Sequence, residues 1–163
     1  MKNKIIVLLI VLAVSFTALT ACTKENQIPQ DNNTSEVTKI EGRRNEFIEK
    51  LDNIQKELDA LPEKKDSDAG ITNAMRNYYG RSYEAYDEAL NEIYALLKEE
   101  LSPTTMEALK AEQLAWIEQK EEAAREAELE FEGGTLQFVA GYISLYQSTK
   151  DRCYELVNEY MTN

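Results

Sequence analysis

"MRNYYGRSYEAYDEALNEIYALL", Met75 to Leu97, is the stretch from which the fold can be read. Its residues Met75, Tyr79, Tyr83, Tyr86, Leu90, Ile93 and Leu97 recur at steps of 4, 4, 3, 4, 3 and 4. That spacing follows the 3.6-residue turn of an α-helix, so these side chains share one stripe while charged residues occupy the opposite face. Gly80 lies inside the segment and is expected at a kink or a close helix contact. A stripe of this length needs partners to cover it, and the flanking sequence supplies three.

Upstream, Ile40, Phe47, Leu51, Ile54, Leu58 and Leu61 repeat at steps of 7, 4, 3, 4 and 3. Pro62 ends that segment, and "PEKKDSDAG", 62–70, reads as a loop. Downstream, "LSPTTMEAL" is a helix start: Ser102 can accept from free amides, and Pro103 suits the first helical position. The third segment carries Met106, Leu109, Gln113, Trp116 and Lys120 on one face until "FEGGT", 131–135, stops it with Gly133 and Gly134. The fourth places Phe138, Tyr142, Leu145, Thr149, Cys153, Leu156 and Tyr160 on a stripe. The expected fold is all-α, an antiparallel bundle of about four helices over residues 37–163. Returns at 62–70, 101–103 and 132–135 argue against one long coiled-coil rod.

With 163 residues, 43% hydrophobic and 29% charged, the chain has room for one ordinary core. A net charge of −12 argues against nucleic acid as a partner, because phosphate binding draws on Lys and Arg; it favours solubility and encounter with basic partners. The sequence holds no histidine, which removes histidine general bases, triads and metal ligands, and two cysteines are too few for a four-cysteine zinc site. Thirty Asp and Glu offer carboxylate pairs, yet nothing fixes two of them in a cleft. A non-catalytic protein without metal or cofactor is expected.

The first residues carry a targeting pattern. Lys2 and Lys4 precede the uncharged, largely apolar run Ile5 to Leu19, which ends in Leu19-Thr20-Ala21-Cys22. The run is short for a membrane span and reads as a signal peptide, 1–21. Its ending resembles a bacterial lipobox, which implies cleavage before Cys22 and a lipid on Cys22, with several acyl chains for stable anchoring at the extracytoplasmic membrane face. Cleavage takes two basic residues and no acid, so −12 becomes −14. Thr23 to Glu36 is polar and contains Pro29. It reads as a flexible tether with a typical reach of roughly 20 Å.

"LKAEQLAWIEQKEEAA", Leu109 to Ala124, holds the only tryptophan among six charged residues. Trp116 is seven residues from Leu109 and falls on the apolar stripe, where it reads as a core anchor contributing about 2–3 kcal/mol if buried, the alternative being an exposed binding anchor. Its N–H would then want an acceptor.

These segments also resemble the LprI-like lysozyme-inhibitor domain family over roughly residues 74–160. The resemblance rests on Tyr83, Asp87, Leu90, Asn91, Tyr94 and Leu97, then Leu109, Lys110, Gln113 and Trp116, then Gly133-Gly134, and finally Thr149 and Arg152. It departs where the family has an Arg-Asp pair and this chain has Lys120-Glu121, since lysine lacks the guanidinium fork. It departs again at Ala124 and Ser144, where many members have cysteines, so the disulfide they imply is absent. Cys153 is then expected as a small buried residue. Asp87, Gln113, Glu121 and Arg152 are expected to form a polar network around Trp116, because buried charges need partners.

The resemblance implies a cell-envelope lipoprotein that binds a basic muramidase, or another envelope protein, through a helical domain. The competing expectation is a membrane-tethered interaction module that pairs its 40–61 stripe with another helix.

Overall fold

The computed structural model describes residues 38–163. Within them lie α1 (Arg44–Asp59), α2 (Pro62–Asp68), α3 (Thr72–Glu100), α4 (Pro103–Leu129) and α5 (Gln137–Tyr160). The fold is all-α, with the three long helices running up, down and up. The signal peptide, Cys22 and the tether lie outside the described residues.

α5 occupies the middle, packed on α3 along one side and on α4 along the other. Leu156, Val157 and Cys153 of α5 are fully buried, as are Tyr86, Ile93 and Leu97 of α3 and Leu109 of α4, or nearly so. Covered from two sides, α5 buries a wider arc than one stripe. Val139, Gly141 and Tyr146 are buried, whereas Phe138, expected inside, is 53% exposed. α4 has α5 on one face only and leaves Leu114 and Ile117 in solvent.

The segment 62–70, expected as a loop, begins with the short helix α2. Leu61 is extended, and Pro62 takes the first helical position with its preset φ. Gly70, at φ 80°, ends the excursion in a conformation that favours glycine. Arg81 of α3 holds this helix through Glu63 at 2.5 Å. The start of α4 follows expectation: Ser102 Oγ accepts from the Thr105 N–H at 3.3 Å, and Pro103 comes next.

α1 lies against α3 and α5, so Phe47, Leu51 and Leu58 face the bundle. The seam required for pairing with an outside helix is therefore largely spent within the molecule. Tyrosine hydroxyls fasten the rest of α1. Tyr154 donates to Asp52 at 2.8 Å, Tyr146 to Gln55 at 2.7 Å and Tyr78 to Asp59 at 3.1 Å, three acceptors at helical spacing. Tyr86, fully buried, donates to the Leu51 carbonyl at 3.2 Å. The chain ahead of α1 crosses the end of the bundle. Thr38 N–H donates to Thr105 Oγ1 at 3.3 Å, Ile40 N–H to the Tyr160 carbonyl at 2.8 Å and Thr162 N–H to the Ile40 carbonyl at 2.8 Å.

These hydroxyls and the Cys153 thiol are held neutral. Burial, then the Asp52 carboxylate, pushes Tyr154 up to about 12, and burial pushes Cys153 to about 12. Burial, followed by Glu159 and Glu112, does the same to Tyr160. Each group ionises more easily unfolded. Its stabilisation is therefore complete below the ordinary values of 9 for the thiol and 10 for the phenols, and is lost as pH rises toward about 12. The fold should lose stability steeply above pH 10. Helical circular dichroism and tyrosinate absorbance should change together there, and independent transitions would contradict the coupling.

Candidate functional site

α3 and α4 flank α5 and face each other across a groove of about 280 Å³. Asp87, Leu90, Asn91 and Tyr94 line it from α3, opposite Lys110, Gln113, Leu114, Trp116, Ile117 and Lys120 from α4. The steps 87, 90, 91, 94 and 110, 113, 114, 117 are those of single helix faces, which is why separate stretches of sequence meet here.

Trp116 is half-buried, not a deep anchor. The buried member of the pair is Lys120, 9% exposed, whose ammonium sits 4.8 Å from the indole centroid and 5.4 Å from the Tyr83 ring. The two π-faces attract the cation and its alkyl stem fills space beside them. So charged a segment keeps its indole because the indole partners one of those charges. Burial raises the Tyr83 hydroxyl pKa, and the neighbouring Asp87 and Glu121 carboxylates add to the rise. Asp87 also accepts from the Asn91 amide at 3.3 Å.

Behind α4, the Arg152 guanidinium is 5% exposed. Its Nε donates to Gln113 Oε1 at 2.5 Å, and its Nη1 lies 2.8 Å from Glu155. Nη2 is 3.7 Å from Glu112, an ionic contact without a hydrogen bond. Thr149 Oγ1, one turn away and fully buried, has no hydrogen-bond partner among the described residues.

The expected network around Trp116 is thus divided. Gln113 and Arg152 meet, and Gln113 also reaches the groove wall. Asp87 turns to Asn91, while Glu121 is exposed and Glu112 and Glu155 supply the carboxylates near Arg152. Helix geometry is the cause: eight residues separate Gln113 from Glu121, about 12 Å along α4, too far for one guanidinium to bridge. Glu155 is three residues from Arg152 on its own helix, a spacing visible in the sequence.

Gly133 and Gly134 lie apart from the groove, in the turn between α4 and α5. Gly133 takes φ 74°, a left-handed conformation that favours glycine. Its N–H donates to Gln137 Oε1 at 3.0 Å, and Gly134 N–H donates to the Phe131 carbonyl at 2.8 Å. Sequence reasoning missed Leu114 and Ile117, which are exposed and share the groove-lining face of α4 with Lys110 and Gln113, beside the stripe that runs through Leu109, Gln113 and Trp116.

Residues 63–156 match the family described as Lysozyme inhibitor LprI. The chain belongs to that family. The match takes in α2, all of α3 and α4 and most of α5, so it begins earlier than residue 74 and stops short of 160. α1 lies before it. No curated protein and no solved structure matches the chain. Membership implies a lysozyme-inhibitor-like function, and the family is one of inhibitors, not of catalysts.

Replacing Arg152 with Met should leave the buried Gln113 carbonyl oxygen unpaired and cost about 1–3 kcal/mol. Gln113→Leu should cost a similar amount, and the double variant less than the sum of the two. Denaturant midpoints check this; an unchanged midpoint for Arg152→Met would remove the pair's structural role.

Proposed function

We propose that this chain is a lipid-anchored cell-envelope protein whose helical body binds and blocks a lysozyme-type muramidase, with no catalytic step of its own. The observation that carries the reading is the family match over residues 63–156, which spans both walls of the groove and the turn at Gly133-Gly134. The net charge of −12 supports it, since an acidic body speeds encounter with a basic enzyme. The lipobox-like Leu19-Thr20-Ala21-Cys22 and the polar segment that follows supply the anchor and tether.

An inhibitor of this type acts by occupying the enzyme's cleft or its rim. It needs a preformed surface and complementary charge, not a nucleophile or a general base. The alternative of a tethered module pairing through 40–61 has lost most of its surface, because Phe47, Leu51 and Leu58 are buried.

The test is a turbidity assay of cell-wall lysis by a basic muramidase, with the full-length protein added. Lysis should slow in proportion to the protein added, and raising salt from 0.05 to 0.5 M (about 14 Å to about 4 Å of screening length) should weaken inhibition. Full lytic activity at a several-fold excess of protein over enzyme would refute the inhibitory reading. Cys22→Ala should release the protein from the membrane fraction, and its retention there would refute the anchor.

A further inference from the structure

The exposed large hydrophobic residues of the described chain are unevenly distributed. Leu114 and Ile117 lie beside the groove, while Ile71, Leu129, Phe131 and Phe138 are 51%, 63%, 43% and 53% exposed. All four belong to one pole of the bundle. α3 and α5 run in the same direction and α4 opposes them, so the start of α3, the end of α4 and the start of α5 come together. Contacts across the helices agree: Arg76 of α3 lies over the Phe138 ring at 5.4 Å, and Glu128 of α4 packs against Gly141 of α5. Phe131 closes one end of a shallow groove of about 470 Å³ along α4 and α5, floored by Ala127, Ala140 and Ile143.

The fringe of this pole is acidic. From Glu126 to Glu132 there are four glutamates; of the nearby cations, Arg76 of α3 lies over the Phe138 ring and Arg125 pairs with Glu122. The last turn of α4 carries no basic residue, and Glu126, Glu128 and Glu130 stand there against the negative end of the helix dipole. Helix stability alone would favour cations at that end. The turn that presents Phe131 is held by the hydrogen bonds of Gly133, Gly134 and Gln137, and a surface already ordered by such bonds has less entropy to lose on binding.

We propose that this pole, with Leu129, Phe131 and Phe138 at its centre and Glu130 and Glu132 on its rim, is the surface that docks the muramidase, through an apolar spot on that enzyme ringed by Lys and Arg. The inference rests on the function proposed above and assigns it a face. Charge complementarity favours this pole over the groove between α3 and α4: four glutamates stand at the end of α4 and in the turn after it, whereas the groove sets the exposed Lys110 against the single carboxylate Asp87. Thr38 enters at the opposite end of the bundle, beside Thr105 near the start of α4, and the length of that helix puts the two ends about 40 Å apart.

The experiment compares the full-length protein with three variants, each checked for an unchanged helical spectrum, by titration against hen egg-white lysozyme with inhibition and direct binding both read. The variants are Phe131→Ser with Phe138→Ser, Glu130→Lys with Glu132→Lys, and, in the groove, Leu114→Ser with Ile117→Ser. Both pole variants should weaken binding more than about tenfold, and the charge reversal should also flatten its salt dependence; the groove variant probes the competing face, and a larger loss there than in either pole variant would overturn the assignment. Binding by the parent that survives both pole changes would overturn this assignment and leave the inhibitor reading standing. A parent that neither binds nor inhibits would remove both.

Discussion

α5 must be covered on two sides at once. Its buried residues, from Val139 and Tyr146 through Arg152, Cys153, Leu156, Val157 and Tyr160, span too wide an arc for one neighbour to cover. α3 takes one flank and α4 the other. Because α5 stands between them, α3 and α4 are held apart, and the groove with Trp116, Lys120 and Tyr83 is the gap that remains. The same constraint leaves α4 with one packed face and puts Leu114 and Ile117 in solvent. α1 then covers the tyrosine-rich surface that α3 and α5 still expose.

Polar residues inside this arrangement do different work from apolar ones. Arg152 and Gln113 join α5 to α4 through a bond whose loss leaves a buried polar atom unpaired, so they specify how the two helices sit. Lys120 is buried without a carboxylate in hydrogen-bond contact among the described residues, and aromatic faces take that place. A compact ammonium suits such a π-face, where a guanidinium fork would look for a carboxylate. The tyrosine hydroxyls on Asp52, Gln55 and Asp59 attach α1, a helix ahead of the family match, to a body within it.

The two ends of the bundle also differ. One is closed by the pairing of Ile40 with Tyr160 and Thr162, and by Thr38 on Thr105. The other ends in a tight glycine turn with exposed Leu129, Phe131 and Phe138 among glutamates. Folding accounts for the closed end, since backbone groups there find partners. It gives no such account of the open one, where apolar area and like charge are both left in solvent, and the docking role proposed above would supply one.

Much of the fold was legible in the residues. Steps of three and four mark the long helices, Ser102-Pro103 marks the start of α4 and Gly133-Gly134 its end, because these are local requirements of backbone and solvation that any context would impose. The motif from Tyr83 to Arg152 was enough to indicate the family. Tertiary structure alone decided which of several helical faces is buried: Val139 over Phe138, Lys120 over Trp116, and Glu112 with Glu155 in place of Glu121 beside Arg152. Periodicity states which side chains share a face, but burial depends on what stands opposite and at what height along the axis, and that is a property of neighbouring helices.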